Sequence, residues 1–173
     1  IHDQASLLSW IDSVLEFGTG RADAILFCAA WRATQAKDLA ALYGVAERAA
    51  ALRSTAELGQ ETTAQGRAFS QTIAAAWPQD ATTALLEDWD GPVAYPVAVA
   101  TASAGHGIGL NDSLCAYLHG FAANLVSAGV RLIPLGQTDG QRTVAALENP
   151  ILALAAVAPD LSLSDAGSAT WMV

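Results

Sequence analysis

The residues best suited to chemistry in this chain are a histidine–aspartate group, a small carboxylate cluster, two cysteines and one glycine-flanked polar turn. His106, Asp112 and His119 follow one another closely. Two imidazoles and a carboxylate are a ligand set for a divalent metal, and would make the chain a small helical metal-dependent enzyme. The spacing argues against that reading, because no E-x-x-H pair, paired-histidine or Cys-x-x-Cys pattern is present. His106 belongs to a glycine-rich loop, and His119 falls on an apolar helical arc where a satisfied core histidine is the ordinary occupant. His2 stands at the start of the chain. Glu87, Asp88 and Asp90 have the composition of an acid–base pair, yet their place at the DWDGP turn, Asp88 to Pro92, is that of a solvated surface. Cys28 and Cys115 lie far apart, each inside an apolar helical pattern, as the reduced buried thiols of a cytoplasmic protein do. These patterns point to no catalytic residue, no metal ligand set and no cofactor bound by the chain itself.

The polar turn is denser. Gly136 and Gly140 flank Gln137-Thr138-Asp139, which suggests a phosphate loop. A P-loop needs G-x-x-x-x-G-K-[ST], with a lysine for the phosphates and a hydroxyl for magnesium. Here Gln141 and Arg142 follow Gly140 and no strand pattern precedes it, so the pattern departs from a P-loop and argues against nucleotide binding. What remains is hydrogen-bonding capacity from Arg131, Gln137, Asp139, Gln141 and Arg142. Two readings stay open. Arg131 suits the C-terminal end of a helix dipole, and the following side chains suit the first turn of the next helix. Alternatively the turn adjoins Asn124, Ser127 and Arg131, and the two together form a docking surface.

The element that positions both is a long helix from about Asp112 to Ile133. Leu114, Leu118, Phe121, Leu125, Ala128 and Leu132 alternate in steps of four and three along one stripe. Cys115, Ala122, Val126, Val130 and Ile133 make a second apolar arc, and Gly120, Asn124, Ser127 and Arg131 fill the small and polar remainder. A helix apolar over so much of its circumference is expected to be buried.

Around it the period is helical throughout. Asp3 caps a helix carrying Leu7, Ile11, Val14 and Leu15, with Gly18 and Gly20 ending it. Further helices are expected over Arg21 to Thr34 (Ile25, Leu26, Ala29 and Ala33 inward), Asp38 to Arg53, and Ser54 to Trp77, where Ser54 and Glu57 form a capping box and Phe69, Ile73 and Ala76 face the core. A short piece spans Thr83 to Trp89, and another begins at Pro96 and reaches Ala104. Asn111 caps the long helix. Pro134 ends it, a helix follows from Gly136 to Glu148, and Pro150 interrupts before Ile151 to Val157. The expectation is all-α: a single domain over 1–173, a bundle of about eight to ten helices around the buried Asp112–Ile133 helix.

Composition narrows the function classes. Apolar residues are 53% of the 173, enough for a packed core. Seventeen acidic against eight basic residues give a net charge of −9, which disfavours nucleic acid as a partner. No uninterrupted apolar run has the length of a membrane span, and no membrane association is expected.

One segment carries a resemblance. NLVSAGVRLIPLGQTDGQ, Asn124 to Gln141, is similar to the most characteristic stretch of the UreF family of urease accessory proteins. Glu57-Leu58, ETTAQGRAF (Glu61 to Phe69) and YPVAVATASAGHGI (Tyr95 to Ile108) resemble the same family in the expected order, so the resemblance covers essentially the whole chain. It implies an all-α, non-enzymatic cytoplasmic scaffold that forms a homodimer, binds UreH (also called UreD) and recruits the GTPase UreG. It further implies that the assembled complex handles nickel and GTP in maturing apo-urease. The partner-facing motif implied is Arg131, Gly136, Gln137, Asp139, Gly140 and Gln141, with glycines keeping backbone accessible and the longer side chains offering directional bonds. A regulatory role toward the GTPase would make Arg131 a trans-acting arginine. The family pattern also includes an N-terminal segment before the region where Ile1 stands and a polar tail beyond Val173. Without those parts, the expectation is a chain that folds but binds UreH weakly.

Overall fold

The computed structural model describes residues 1–52 and 55–167. Among the described residues there are nine α-helices, two 3-10 turns and no strand, which is the expected all-α class. The helices are α1 (Gln4–Phe17), α2 (Thr19–Gln35), α3 (Leu39–Ala51), α4 (Ala56–Ala76), α5 (Asp80–Glu87), α6 (Tyr95–Gly105), α7 (Leu110–Leu132), α8 (Gln137–Ala146) and α9 (Glu148–Val157). The chain divides into two compact units, residues 1–24 with the stretch from Cys115 onward, and Ile25–Leu114.

In the first unit, α1 begins where its cap dictates. The Asp3 carboxylate accepts the Ser6 amide at 2.8 Å, and the Ser6 hydroxyl accepts the Asp3 amide at 3.1 Å. Leu7, Ile11, Val14 and Leu15 form the buried face of α1, which packs on α8 and α9. Gly18 ends α1, but Gly20 does not. It lies in the first turn of α2, where a Cβ would stand only 3.0 Å from the Leu15 Cα, so glycine permits the tight corner. Asp23, buried in α2, accepts a hydrogen bond from the Tyr117 hydroxyl at 2.8 Å, which offsets the cost of enclosing its carboxylate. Pro150 does not interrupt a helix. It falls in the first turn of α9, where its missing N–H is no loss.

The second unit is organised on α6. Its sequence, YPVAVATASAG, has no polar face, and Pro96, Val97, Ala98, Ala100, Thr101, Ala102 and Ala104 are all buried. The long α4 packs against it through small residues: its buried members are Gly66 and Ser70. Phe69 and Ile73 are only half-buried and Ala76 is exposed, against expectation, because a 21-residue helix laid on an 11-residue one leaves its C-terminal turn in solvent. Phe69 meets Tyr95 edge-on at 5.7 Å, and the Tyr95 amide donates to the Thr62 hydroxyl at 3.2 Å. The expected Ser54 cap lies outside the described residues; Thr55 accepts the Leu58 amide as N-cap of α4. Helix α5 starts three residues before the expected Thr83 because the Gln79 side chain caps it, accepting the Ala81 amide at 3.1 Å.

Burial is where the sequence expectation needs correcting. The enclosed segments are α6 and an unbroken run of α2 from Ala22 to Cys28, of which Ala29, expected inward, is the half-buried end. Helix α7 is buried along one strip rather than all round. Among the described residues it is also the one helix long and apolar enough to cross a membrane by length and composition, as core helices can be.

Candidate partner-docking surface

What fixes the C-terminal half of α7 is contact with α1 and α8. Gly129 lies under Leu7, where a Cβ would come within 2.6 Å of the Leu7 Cδ2. Gly140 of α8 lies against Val130, where a Cβ would come within 2.9 Å of the Val130 Cγ2 and 3.7 Å of the Val126 Cγ1. The two glycines set how closely the helices approach, and with Ala122, Val126 and Ile133 buried they define the covered side.

The other apolar stripe is left open. Leu114 and Leu118 are buried, but Phe121, Leu125 and Ala128 are half-buried and Leu132 is 86% exposed. The sequence pattern assigns all six to the core. The stripe is real, but only its first two positions are covered within the chain. At about 100° per residue the polar arc sits about 100° from Val130, and the open stripe lies beyond it. Asn124, Ser127 and Arg131 on that arc are all exposed. Arg131 Nη1 donates to the Ser127 hydroxyl at 3.2 Å, one helical turn back, which lays the guanidinium along the helix surface. An apolar strip edged by a cation and two polar side chains is the composition of an interface core with its rim.

The turn leads from this strip into α8. Pro134 ends α7, Ile133 is buried, and the Leu135 amide donates to the Ile133 carbonyl at 2.7 Å. Gly136 is the extended N-cap of α8 and is exposed, as are Gln137 and Gln141, one turn apart on its outer face. The inner stripe is Gly140, Thr143 and Leu147. Thr143 is satisfied by donating its hydroxyl to the Asp139 carbonyl at 2.8 Å. Asp139 is half-buried, with its carboxylate 3.2 Å from Arg142 Nη1 in an exposed pair that contributes about 0.2–1 kcal/mol.

The structure therefore separates the motif residues that the sequence grouped. Asn124, Ser127, Arg131, Gly136, Gln137 and Gln141 present themselves to solvent, and Gly140 does not. Its role is packing on Val130, a correction to the idea that it exposes backbone. Leu125, Ala128 and Leu132 are the surface residues that sequence reasoning missed; their signal is present as periodicity but reads as core.

The metal reading fares worse. His106 is the exposed C-cap of α6, Asp112 an exposed first-turn residue of α7, and His119 is exposed rather than the core histidine expected. Among the described residues no three side chains of His, Cys, Asp or Glu converge to hold an ion. Glu87, Asp88 and Asp90 are not enclosed together: all three are exposed, as a solvated turn requires.

Sequence comparison then decides the family. The UreF family profile matches residues 1–148. The chain belongs to the UreF family. A relative from Granulibacter bethesdensis, named urease accessory protein UreF, is 47% identical over 173 residues, covering 100% of this chain and 73% of its own. One from Rhodopseudomonas palustris strain TIE-1, with the same name, is 46% identical over 171 residues, 99% of this chain and 71% of the relative. A third, from Bradyrhizobium diazoefficiens, is 43% identical over 171 residues with 99% and 71% coverage. These relatives are thus named as accessory to urease rather than for a catalysis of their own.

Proposed function

We propose that this UreF-family chain acts in urease maturation as a non-enzymatic scaffold, and that the open side of α7 with the start of α8 is where a protein partner docks. In this reading the chain forms a homodimer, binds UreH/UreD and recruits the GTPase UreG in the cytoplasm, and the assembly inserts nickel into apo-urease with GTP hydrolysed by the partner. Nickel is cargo here, and no residue of this chain is assigned to hold it. The observation that carries the reading is Leu132, 86% exposed at the end of an apolar stripe and beside Arg131. An apolar side chain left so open next to directional polar groups is stabilised once a partner covers it. Fully burying a leucine contributes roughly 1.5–3 kcal/mol.

Which of Asn124, Ser127, Arg131, Gly136, Gln137, Asp139 and Gln141 face UreG and which face UreH or a second copy is a separate question from whether the surface is used. Light scattering on a sizing column answers the latter. A dimer of the chain alone, or a defined larger complex once UreH and UreG are added, supports the scaffold. A monomer that elutes unchanged even with both partners in large excess, where weak binding would register, overturns it.

A further inference from the structure

The unit formed by Ile25–Leu114 holds a cleft of about 600 Å³ between the ends of α2 and α6 and the starts of α3 and α5. That volume lies within the range of ligand-binding pockets. Its apolar lining is Ala33, Leu39, Ala81 and Ala104, and its charged lining is Lys37 and Asp80. Those two opposite charges line one cleft without forming an ion pair with each other, and neither side chain has another partner among the described residues.

Lys37 is unusual in two respects. It is the only lysine in the chain. It also has φ 55, the left-handed conformation normally given to glycine at a helix C-terminus. The amides of Lys37 and Asp38 donate to the carbonyls of Thr34 and Ala33 at 3.0 and 2.9 Å, the paired bonds of a Schellman ending. Lysine at that position fixes an ammonium-bearing side chain at the cleft against local backbone preference.

The neighbouring amides are held in place. Gln35 Nε2 donates to the Ala104 carbonyl at 2.7 Å, tying the end of α2 to that of α6. Gln79 accepts the Ala81 amide through Oε1 and donates through Nε2 to the Thr82 hydroxyl. Each amide keeps hydrogen-bonding capacity: Gln35 has its carbonyl oxygen as acceptor, and Gln79 has its second N–H as donor. One acceptor and one donor are what a peptide backbone requires.

We propose that this cleft docks a dipolar peptide segment of a partner protein, with a carboxylate on Lys37, a cationic side chain on Asp80 and its backbone on Gln35 and Gln79. A simple anion fits less well, because Asp80 and a chain of net charge −9 both repel it. Peptide binding here does not depend on use of the α7 surface.

Because Lys37 is the sole lysine, protein labelled with ¹³C at lysine Cε gives one lysine side-chain signal. The probes are peptides Ac-Glu-(Ala)n-Arg-NH₂ with one to four alanines, and the same peptides with Gln for Glu or for Arg. A saturable shift of the Lys37 signal and of the Gly105 and Gly107 amides is expected for at least one spacing, with about fivefold weaker binding when either peptide charge is removed. In Lys37→Gln and Asp80→Asn proteins, read through the glycine amides, the preference for the matching peptide charge should disappear. Both side chains are exposed, so melting should change little, by no more than the loss of the Asp80 charge from the first turn of α5. Shifts that stay linear at every spacing, or equal affinity for dipolar and Gln-substituted peptides, overturn the proposal. Binding of the Glu-only peptide as tight as the dipolar one makes this an anion site, which also contradicts it.

Discussion

Replacing Gly66 by alanine sets two effects of opposite sign against each other. Alanine in the middle of a helix is favoured over glycine by about 1 kcal/mol, so helix propensity alone makes Gly66→Ala stabilising. The packing forbids it. A Cβ at position 66 would sit 2.9 Å from the Ala94 carbonyl carbon and 3.0 Å from the Tyr95 nitrogen, and closer still to the Val93 carbonyl oxygen. All three are backbone atoms, so no side chain can rotate away. The segment is also pinned by the Tyr95 amide bond to Thr62 and by the Phe69–Tyr95 ring contact. Overpacking costs typically about 1–3 kcal/mol, and rigid backbone puts this case at or above the top of that range. Net of propensity, the expected loss is about 2 kcal/mol, a fall in Tm of roughly 4–8 °C for a chain this size. Urea unfolding followed by circular dichroism measures it. A Gly66→Ala protein as stable as the parent would refute the close approach of α4 to the 93–95 backbone.

Other positions test the same physics from different sides. At Gly44 in α3 and Gly120 in α7 an added methyl would meet nothing among the described residues within 4 Å, so Gly44→Ala and Gly120→Ala should each stabilise by about 0.5–1 kcal/mol in the same assay. Among the described residues the buried Thr101 hydroxyl has no hydrogen-bond partner, and Thr101→Val, which keeps the shape, should gain about 1 kcal/mol in thermal or urea unfolding. Burial pushes the Cys28 thiol up to about 11. The unfolded chain releases that proton first, so stability should fall as pH rises between 9.0 and about 11, with a slope that Cys28→Ala lacks in urea titrations at stepped pH. At pH 8 iodoacetamide should leave Cys28 untouched until the protein unfolds, as peptide mapping would show.

The parts of this fold that sequence makes legible are those set by local chemistry. The Asp3 cap, the proline that opens α6, the proline that ends α7 and the helical period of α1 all act within a few residues. What sequence leaves open depends on tertiary partners. The two apolar arcs of α7 look alike on a helical wheel, and only the placement of Leu7 over Gly129 and of Gly140 on Val130 decides which arc is covered. For the same reason Gly140 reads as accessible backbone when it is a packing residue. Helix α6 does not stand out as a centre because a short run of alanine and valine has no amphipathic period to reveal. The Gln79 cap of α5 is hidden since glutamine is not among the common N-cap residues. At the candidate surface, Asn124, Ser127, Arg131, Gln137 and Gln141 are legible as polar residues at helical spacing, whereas the exposure of Leu132 is not.

The most direct test of the α7 surface compares Leu132→Ser and Arg131→Asp with the parent in light scattering against UreH and UreG, with a melt of each protein alongside. Leu132 is almost wholly exposed, so its replacement should move the melt little. Arg131→Asp forfeits a favourable dipole interaction and adds an unfavourable one, about 1–2 kcal/mol together. Assembly should suffer more: losing a leucine buried against a partner is worth on the order of tenfold or more in affinity. Folded variants that no longer assemble are the result expected. Folded variants that assemble as the parent does would contradict the docking surface, and loss of folding with Arg131→Asp would return that arginine to a purely structural role.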